Sequence, residues 1–166
     1  LMTGNAVWGQ VSANFADNFY NNVASNGVAG RYPYMWVNWP CNDNYKTGLI
    51  MGGHNTILHT GIDGHKYEGI ILNPMQHSEP SKVAIFTAAD YCWKPWDAKE
   101  EGDQAWEDSF KYIDHVTALE SDSSKALREV AKHMIYQGPV QTAGRQAKFE
   151  ESVDLKNKLA EIQKKV

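Results

Sequence analysis

Residues 32–43 read YPYMWVNWPCND, a short apolar and aromatic run that ends in polar side chains. The run predicts a buried strand over residues 33–39. Asn38, Asn42 and Asp43, which all carry side-chain acceptors, lie at or just beyond its end. In parallel α/β architectures, ligand-binding groups gather at the carboxyl ends of the strands. The stretch therefore predicts a strand and a candidate binding site together.

Two further strands are expected on either side of this run. Residues 3–8 are apolar and predict one strand, and residues 67–72, with EGIIL at their centre, predict another that stops at Asn73-Pro74. A long glycine-rich connection, with room for a short helix, fills residues 42–66.

Helices are expected between and after the strands. Ser12 is a candidate cap for a helix that runs to about Ser25. Ser78, with Pro80 in the first turn, is a candidate cap for another. Further helical patterns cover residues 103–118, 122–137 and 147–166. Strands that alternate with helices favour parallel pairing, so the predicted class is α/β.

Three strands cannot close a barrel, which needs about eight. The chain also opens with a strand-like run, LMTGNAVWG, and without a charged leader. We therefore expect the sequence to be a piece of a longer protein.

Composition excludes several classes of function. The 166 residues carry a net charge of −4, and their only basic cluster is KNKLAEIQKK near the end, so nucleic acid is not an expected partner. No apolar run approaches the ~20 residues of a membrane span. Cys41 and Cys92 form no CxxC pattern and are expected to be free thiols.

Several segments stand in a characteristic order: MTGNAV, then MWVNWPCND followed by GLIMGG, and then EGIILNPM followed by SKVAIFTAADYCW. Together they resemble glycoside hydrolase family 84, the β-N-acetylglucosaminidases that include O-GlcNAcases and bacterial enzymes once called hyaluronidases. The resemblance implies that residues 1–118 form the last three βα units of a TIM (β/α)8 barrel. Residues 122–166 resemble the start of the helical region that follows the barrel.

The resemblance also implies a reaction. In this family the 2-acetamido oxygen of the substrate attacks the anomeric carbon, an exception to the usual two-carboxylate scheme. One aspartate orients the acetamido group, and its neighbour in sequence protonates the leaving oxygen and then activates water. The sequence contains no Asp-Asp pair, so the catalytic residues are expected upstream and this chain alone is expected to be inactive. Its acidic pairs, expected on solvated faces, are Glu100-Glu101, Glu107-Asp108 and Glu150-Glu151.

What remains is part of a sugar pocket. By resemblance, Asp43 and Asn73 bind the C4 and C6 hydroxyls of GlcNAc, since a carboxylate accepts from hydroxyls and an amide both donates and accepts. Asn38 bonds the acetamido group or the aspartate that orients it. The predicted substrate-binding set is Trp36, Asn38, Asp43, Asn73, Thr3 and Val7.

The remaining members of this set form the acetamido pocket. Trp36 gives an apolar wall for the methyl group, and Thr3 and Val7 match positions that line the pocket on the preceding strand. Taken singly, each residue has a structural alternative: Trp36 as core, the asparagines as strand ends and Asp43 as a turn acid. The ordered set favours the pocket. Asn44, where an aromatic residue is expected, leaves the preference for the aglycone open.

Two other groups of residues are candidates for function. His54, His59 and His65, with Asp63, could ligate zinc, but their spacing fits no helical zinc motif and surface positions are expected. No metal or cofactor is therefore predicted. Trp93, Trp96 and Trp106 could stack on sugar rings, although anchoring of a loop is the more common role.

Two classes of function remain open. The chain is either part of a β-N-acetylglucosaminidase that releases terminal GlcNAc, or a non-catalytic carbohydrate-binding or assembly module. The expected partners are a GlcNAc-containing glycan or glycoprotein and the remainder of the parent barrel. Unpaired strand edges predict self-association. A secreted or extracellular bacterial location rests on the resemblance alone.

Overall fold

The computed structural model describes residues 10–42, 49–113 and 120–135, with residues 157, 160, 161, 163 and 164. The predicted strand over residues 3–8 lies outside them. So does most of the predicted last helix, of which residues 157, 160, 161 and 163 are helical. The elements of the described residues are α1 (Ala13–Ser25), β1 (Tyr34–Val37), β2 (Gly69–Leu72), α2 (Ser78–Trp93), α3 (Lys99–Tyr112) and α4 (Asp122–Ala131).

The two strands pair in parallel, as the alternating order predicts. Their register runs from Tyr34 opposite Gly69 to Val37 opposite Leu72. Within the described residues the sheet has these two strands only. The α/β class is therefore confirmed, while a closed barrel is not present in this part of the chain.

The two faces of the sheet differ in burial. Met35 and Val37 are 0 % and 1 % exposed and pack in one apolar core with Ala84 and Ala88 of α2. Side chains alternate across a strand, so Tyr34 and Trp36 lie on the opposite face, which we call the inner face. Tyr34 and Ile71 are each 41 % exposed there. The inner face is thus apolar and only partly covered.

The connection between β1 and β2 is long, as expected, and is fixed to the core. Its described residues contain two 3₁₀ turns, His54–Thr56 and Gly64–Lys66, in the region that had room for a short helix. Val11 donates its N–H to the carbonyl of Ile57 at 2.9 Å and accepts from the N–H of His59 at 3.2 Å. Leu58, which bridges Val11, is fully buried.

Helix α1 has the predicted bounds, with Ser12 at the N-cap. The side chain of Ser12 makes no capping bond. Its backbone instead bonds the Tyr67 hydroxyl, which accepts from the Ser12 N–H at 3.0 Å and donates to the Ser12 carbonyl. The start of α1 is therefore held by the segment that leads into β2.

Helix α2 begins one residue earlier than its predicted cap implies. Ser78 is the first helical residue and His77, with an extended backbone, is the N-cap. Pro80 lies in the first turn as predicted. The carbonyl of His77 accepts from the Ser81 hydroxyl at 2.8 Å, so a serine contributes to this terminus from inside the helix.

Helices α3 and α4 pack around a second apolar core that includes Met51, Val83, Trp106, Phe110 and Ala131. Helix α4 ends at Ala131, short of the predicted residue 137. The chain turns there because Met134 accepts from the Met51 N–H at 2.8 Å and Ile135 bridges Gly52 in parallel. No helix in the described ranges is both long and apolar enough to cross a membrane.

Candidate functional site

The candidate site lies where the two parallel strands end. Asn38 directly follows β1 and Asn73 directly follows β2. The Asn73 N–H donates to the carbonyl of Val37 at 2.8 Å, which continues the strand pairing by one residue. Parallel register therefore brings two amide side chains, distant in sequence, to one edge of the sheet.

One oxygen atom links three of the predicted residues. Asn38 Oδ1 accepts from Trp36 Nε1 and from Asn73 Nδ2, each at 2.9 Å. An amide oxygen has two lone pairs, so these two donors use its capacity. All three side chains are half-buried. We call Trp36, Asn38 and Asn73 the Asn38 cluster.

The cluster fixes the direction of the Asn73 amide. Because its Nδ2 donates to Asn38, its Oδ1 is directed away from that bond. Among the described residues, no donor reaches Asn73 Oδ1. A half-buried carbonyl oxygen at a strand end is suited to accept from a hydroxyl of a ligand.

Trp36 lies in the cluster with its one polar atom already engaged. The indole N–H is used by Asn38, so the ring surface of Trp36 is what remains for contact. The second tryptophan of the motif, Trp39, is 1 % exposed and belongs to the core. Of the two tryptophans that flank Asn38, only Trp36 is therefore placed to meet a ligand.

The structure locates three of the six predicted site residues and brings those three together. Asp43, Thr3 and Val7 lie outside the described residues. Their roles stay predictions. Asn42, the last described residue before this gap, is half-buried.

Of the three histidines of the connection, His65 is exposed as expected and His59 is half-buried, whereas His54 is buried and departs from the expected surface position. His54 is 5 % exposed, its Nε2 lies 3.1 Å from Asp103 Oδ1, and its ring meets the edge of Trp96 at 5.4 Å. Burial lowers the pKa of His54, an effect that Asp103 opposes. The pKa of His59 is also lowered, by burial and by Lys99. Over the described ranges, no three His, Cys, Asp or Glu side chains converge as metal ligands.

The contact between His54 and Asp103 was not predicted. The two residues are 49 positions apart, and neither belongs to a motif. Asp103 also accepts from Asn55 Nδ2 at 2.9 Å. Asp103 therefore ties the first 3₁₀ turn to α3, a structural role that no local signal in the sequence indicates.

The three later tryptophans have two different roles. Trp96 and Trp106 are 2 % and 8 % exposed, and their indole N–H groups donate to Asp90 and to the carbonyl of Met51, each at 2.8 Å. These two are anchors, as expected. Trp93 is 92 % exposed, so the anchoring prediction is wrong for this residue.

The acidic pair Glu107-Asp108 was expected on a solvated face, but Glu107 is bonded to a neighbouring helix. Arg128 donates two hydrogen bonds to the Glu107 carboxylate, from Nε and from Nη2, both at 2.7 Å. This fork joins α3 to α4.

Neither Cys41 nor Cys92 forms a disulfide within the described residues, as predicted, and Cys41 is buried whereas Cys92 is exposed.

Comparison with known proteins agrees with the resemblance seen in the sequence. The family described as NAGidase, β-N-acetylglucosaminidase, matches residues 1–132. The chain is also similar to the solved structure of CpGH84B, a protein whose name carries the family 84 designation, with 23 % identity and a TM-score of 0.61. That likeness covers 98 % of this chain and 25 % of CpGH84B, so the chain spans about a quarter of the length of this structural relative. The match over residues 1–132 shows that the chain belongs to the β-N-acetylglucosaminidase family.

Proposed function

We propose that this chain builds part of the GlcNAc-binding pocket of a retaining, substrate-assisted β-N-acetylglucosaminidase. The observation that carries the proposal is the Asn38 oxygen, which gathers Trp36 and Asn73 at the carboxyl ends of two parallel strands. Ligand groups collect at this end of the strands in barrel enzymes. The family match over residues 1–132 supplies the class of substrate.

In this proposal each member of the Asn38 cluster has one task. Asn73 Oδ1 accepts from a hydroxyl at C4 or C6, because no described residue donates to it. The ring of Trp36 packs against the methyl of the acetamido group, because its N–H is already bonded. Asn38 holds both in place. Asp43, Thr3 and Val7 complete the pocket.

The catalytic carboxylates come from elsewhere in the parent protein. The acetamido oxygen of the substrate attacks the anomeric carbon, one aspartate orients the acetamido group, and an adjacent one donates a proton to the leaving oxygen and then activates water. The chain has no Asp-Asp pair. We therefore expect this chain alone to bind the sugar without hydrolysing it.

The inner face of the sheet supports a barrel completed by further chain. Tyr34, the first residue of β1, and Ile71, within β2, are each 41 % exposed there, whereas the strands of parallel sheets are usually covered on both faces. The rest of a barrel would cover them. Without it, a second copy is the available cover, so sedimentation velocity should show association that increases with concentration.

The first test is binding of GlcNAc to this chain, followed through the side-chain amide resonances of Asn38 and Asn73 in ¹H–¹⁵N NMR spectra. GlcNAc should shift both amides. GalNAc, which inverts the C4 hydroxyl, should shift them less, and glucose, which lacks the acetamido group, should bind more weakly. Asn73→Ala should lower GlcNAc affinity about tenfold, the effect of one hydrogen bond of about 1.4 kcal/mol. Equal shifts by all three sugars would contradict the proposal.

The second test is hydrolysis of an aryl β-N-acetylglucosaminide. We expect no turnover by the 166 residues and turnover by the longer protein. Turnover by this chain, with longer contaminants excluded by mass, would place the catalytic acids within it. Binding without turnover in the longer protein as well would favour the alternative, a non-catalytic carbohydrate-binding module.

A further inference from the structure

A second cavity lies at the other end of the strands. Its volume is about 570 Å³, and its walls come from the turn Gly64–Lys66, the start of β2 and the end of α2. Gly69 and Ile70, which line it, open β2, whereas Asn73 follows the last residue of that strand. Four strand residues at ~3.3 Å each separate the two ends by about 13 Å. We call this space the amino-end cavity.

Trp93 stands at the amino-end cavity with almost its whole surface in solvent. It is the last residue of α2 and is 92 % exposed, whereas Tyr91 and Trp96 on either side are 1 % and 2 % exposed. Packing therefore does not account for the position of Trp93. An open indole offers a flat apolar face, on which the C–H face of a pyranose ring can stack.

Two polar side chains that make no hydrogen bond to a described residue line the same cavity as this indole. The Glu68 carboxylate and the His65 ring line the amino-end cavity and make no side-chain hydrogen bond to any described residue. The tyrosine hydroxyls are already engaged, since Tyr67 bonds Ser12 and Tyr91 donates to the carbonyl of His59. The cavity thus offers a free acceptor and an imidazole, the pairing that hydroxyl groups require.

Charge narrows the class of ligand. Asp63 and Glu68 bring two negative charges to the cavity, and the single cation, Lys94, is already bonded to Asp97 at 3.2 Å and to Glu101 at 3.4 Å. An anionic ligand would meet repulsion. A simple organic cation would leave the imidazole without a role and would lie near Lys94. A neutral, hydroxyl-rich ligand meets neither objection.

Cys92 also lines this space, and covalent chemistry through it is not indicated. Although Cys92 is an exposed residue, the surrounding protein partly desolvates its thiol and raises the pKa of that thiol, so the thiol stays protonated at neutral pH and is a poor nucleophile. The cavity is therefore equipped for reversible binding.

We infer that the amino-end cavity is a second saccharide site, in which a neutral sugar stacks on Trp93 and donates a hydroxyl hydrogen bond to Glu68. It is separate from the proposed pocket at Asn73 and does not depend on any hydrolytic activity. Such a site would hold a neutral glycan at a distance from the position where a terminal sugar is read.

The test is a titration of this chain with tri-N-acetylchitotriose, a neutral oligosaccharide, followed through the indole N–H resonances in ¹H–¹⁵N spectra. The Trp93 indole, assigned from Trp93→Ala, should shift. Trp93→Ala should weaken the binding seen at the neighbouring backbone amides about tenfold, a stacking contribution of about 1.4 kcal/mol. Glu68→Gln should weaken it less. Ile85→Ala, at an exposed position on the same helix, should leave it unchanged.

Two further comparisons separate this site from the proposed pocket. Asn73→Ala should leave the Trp93 shift unchanged, and a hyaluronan tetrasaccharide, which carries carboxylates, should bind the cavity more weakly than the neutral sugar. A Trp93 shift without any shift at Asn38 or Asn73 would support the cavity while contradicting the proposed pocket. Trp93 is exposed, so its variants should fold, which circular dichroism verifies.

Three results would overturn the inference. One is the absence of any Trp93 shift at millimolar oligosaccharide. Another is equal binding of the neutral and the anionic sugar, or of choline. The third is protection of Trp93 from acrylamide quenching in the longer protein, which would mean that further protein chain, and not a sugar, covers the indole.

Discussion

Asn73 Nδ2 lies 2.9 Å from Asn38 Oδ1, and the two residues are 35 positions apart in sequence. The bond crosses from the end of β2 to the end of β1. Trp36 Nε1 donates to the same oxygen at the same distance. One amide oxygen therefore sets the position of two side chains that belong to different parts of the proposed pocket.

Removal of that oxygen should destabilise the chain. Asn38→Ala leaves the Trp36 and Asn73 donors half-buried and without their acceptor, so we expect the free energy of unfolding to fall by about 1–3 kcal/mol. Asn38→Asp keeps an acceptor, so its free energy of unfolding should fall less. Urea unfolding followed by circular dichroism measures both. The control is Asn21→Ala, on the exposed surface of α1, and a loss from Asn38→Ala no larger than this control would count against the cluster.

His54 should make the fold sensitive to mild acid. Burial lowers its pKa in the folded state, so between that value and the ordinary pKa of about 6.5 the unfolded chain binds more protons. Stability from the neutral ring is complete above about pH 6.5 and is lost as the pH falls through the window below it. Urea midpoints between pH 8 and pH 5 should follow this course.

The variant His54→Gln tests the assignment, since glutamine can donate to Asp103 and does not titrate. Its stability should depend less on pH. Some dependence of stability on pH should remain in this variant, because burial lowers the pKa of His59 as it lowers that of His54. Asn21→Ala, on the exposed surface of α1, removes no titratable group and should retain the pH profile of the parent chain. An unaltered slope in His54→Gln would show that other groups control the acid response.

The ion pair between Arg128 and Glu107 should make a modest contribution to the free energy of unfolding. The two bonds are 2.7 Å long, and Glu107 raises the pKa of Arg128, but the side chains are 39 % and 38 % exposed. Solvent screening limits such a pair to about 1 kcal/mol. A double-mutant cycle of Arg128→Ala and Glu107→Ala should give a coupling energy of about 0.5–1 kcal/mol that shrinks in 1 M salt. Zero coupling at low salt would contradict this.

Gly102→Ala should destabilise α3 although alanine is the better helix former. A Cβ at Gly102 would lie 2.6 Å from the Trp96 ring and 2.9 Å from His54 Cδ2. Relief of this overlap costs about 1–3 kcal/mol, against about 1 kcal/mol gained in helix propensity. Thermal unfolding should show a lower Tm. Gln104→Ala, exposed on the same helix, should have a Tm near that of the parent, and a rise in Tm for Gly102→Ala would contradict the packing argument.

The sequence predicted the elements whose signals are local. The aromatic run before Asn38 and the apolar run before Asn73 are strands, and parallel pairing follows from the alternation of strands and helices. Once the strands are parallel, their carboxyl ends meet, and the proximity of Asn38 and Asn73 follows. That part of the candidate site could be predicted because it depends on topology and not on packing detail.

The elements that were missed depend on tertiary contacts. Helix α3 begins at Lys99, before the predicted residue 103, and includes Gly102, whose lack of a Cβ admits the Trp96 ring. His54 is buried because Asp103, far along the chain, is brought to it. Trp93, the last residue of α2, is exposed, whereas Trp96, three residues later, is buried against Asp90 and Tyr91, and no local signal in the sequence separates the two.

The shared oxygen of Asn38 also makes the proposed pocket depend on the correct register of β1 and β2. A slip of one residue between the strands would move Asn73 by about 3.3 Å and place its side chain on the opposite face of the sheet. The indole of Trp36 and the amide of Asn73 would then have no common acceptor. A chain with slipped strands would therefore lack the arrangement of the proposed pocket, so the bond between Asn38 and Asn73 forms only in the native register.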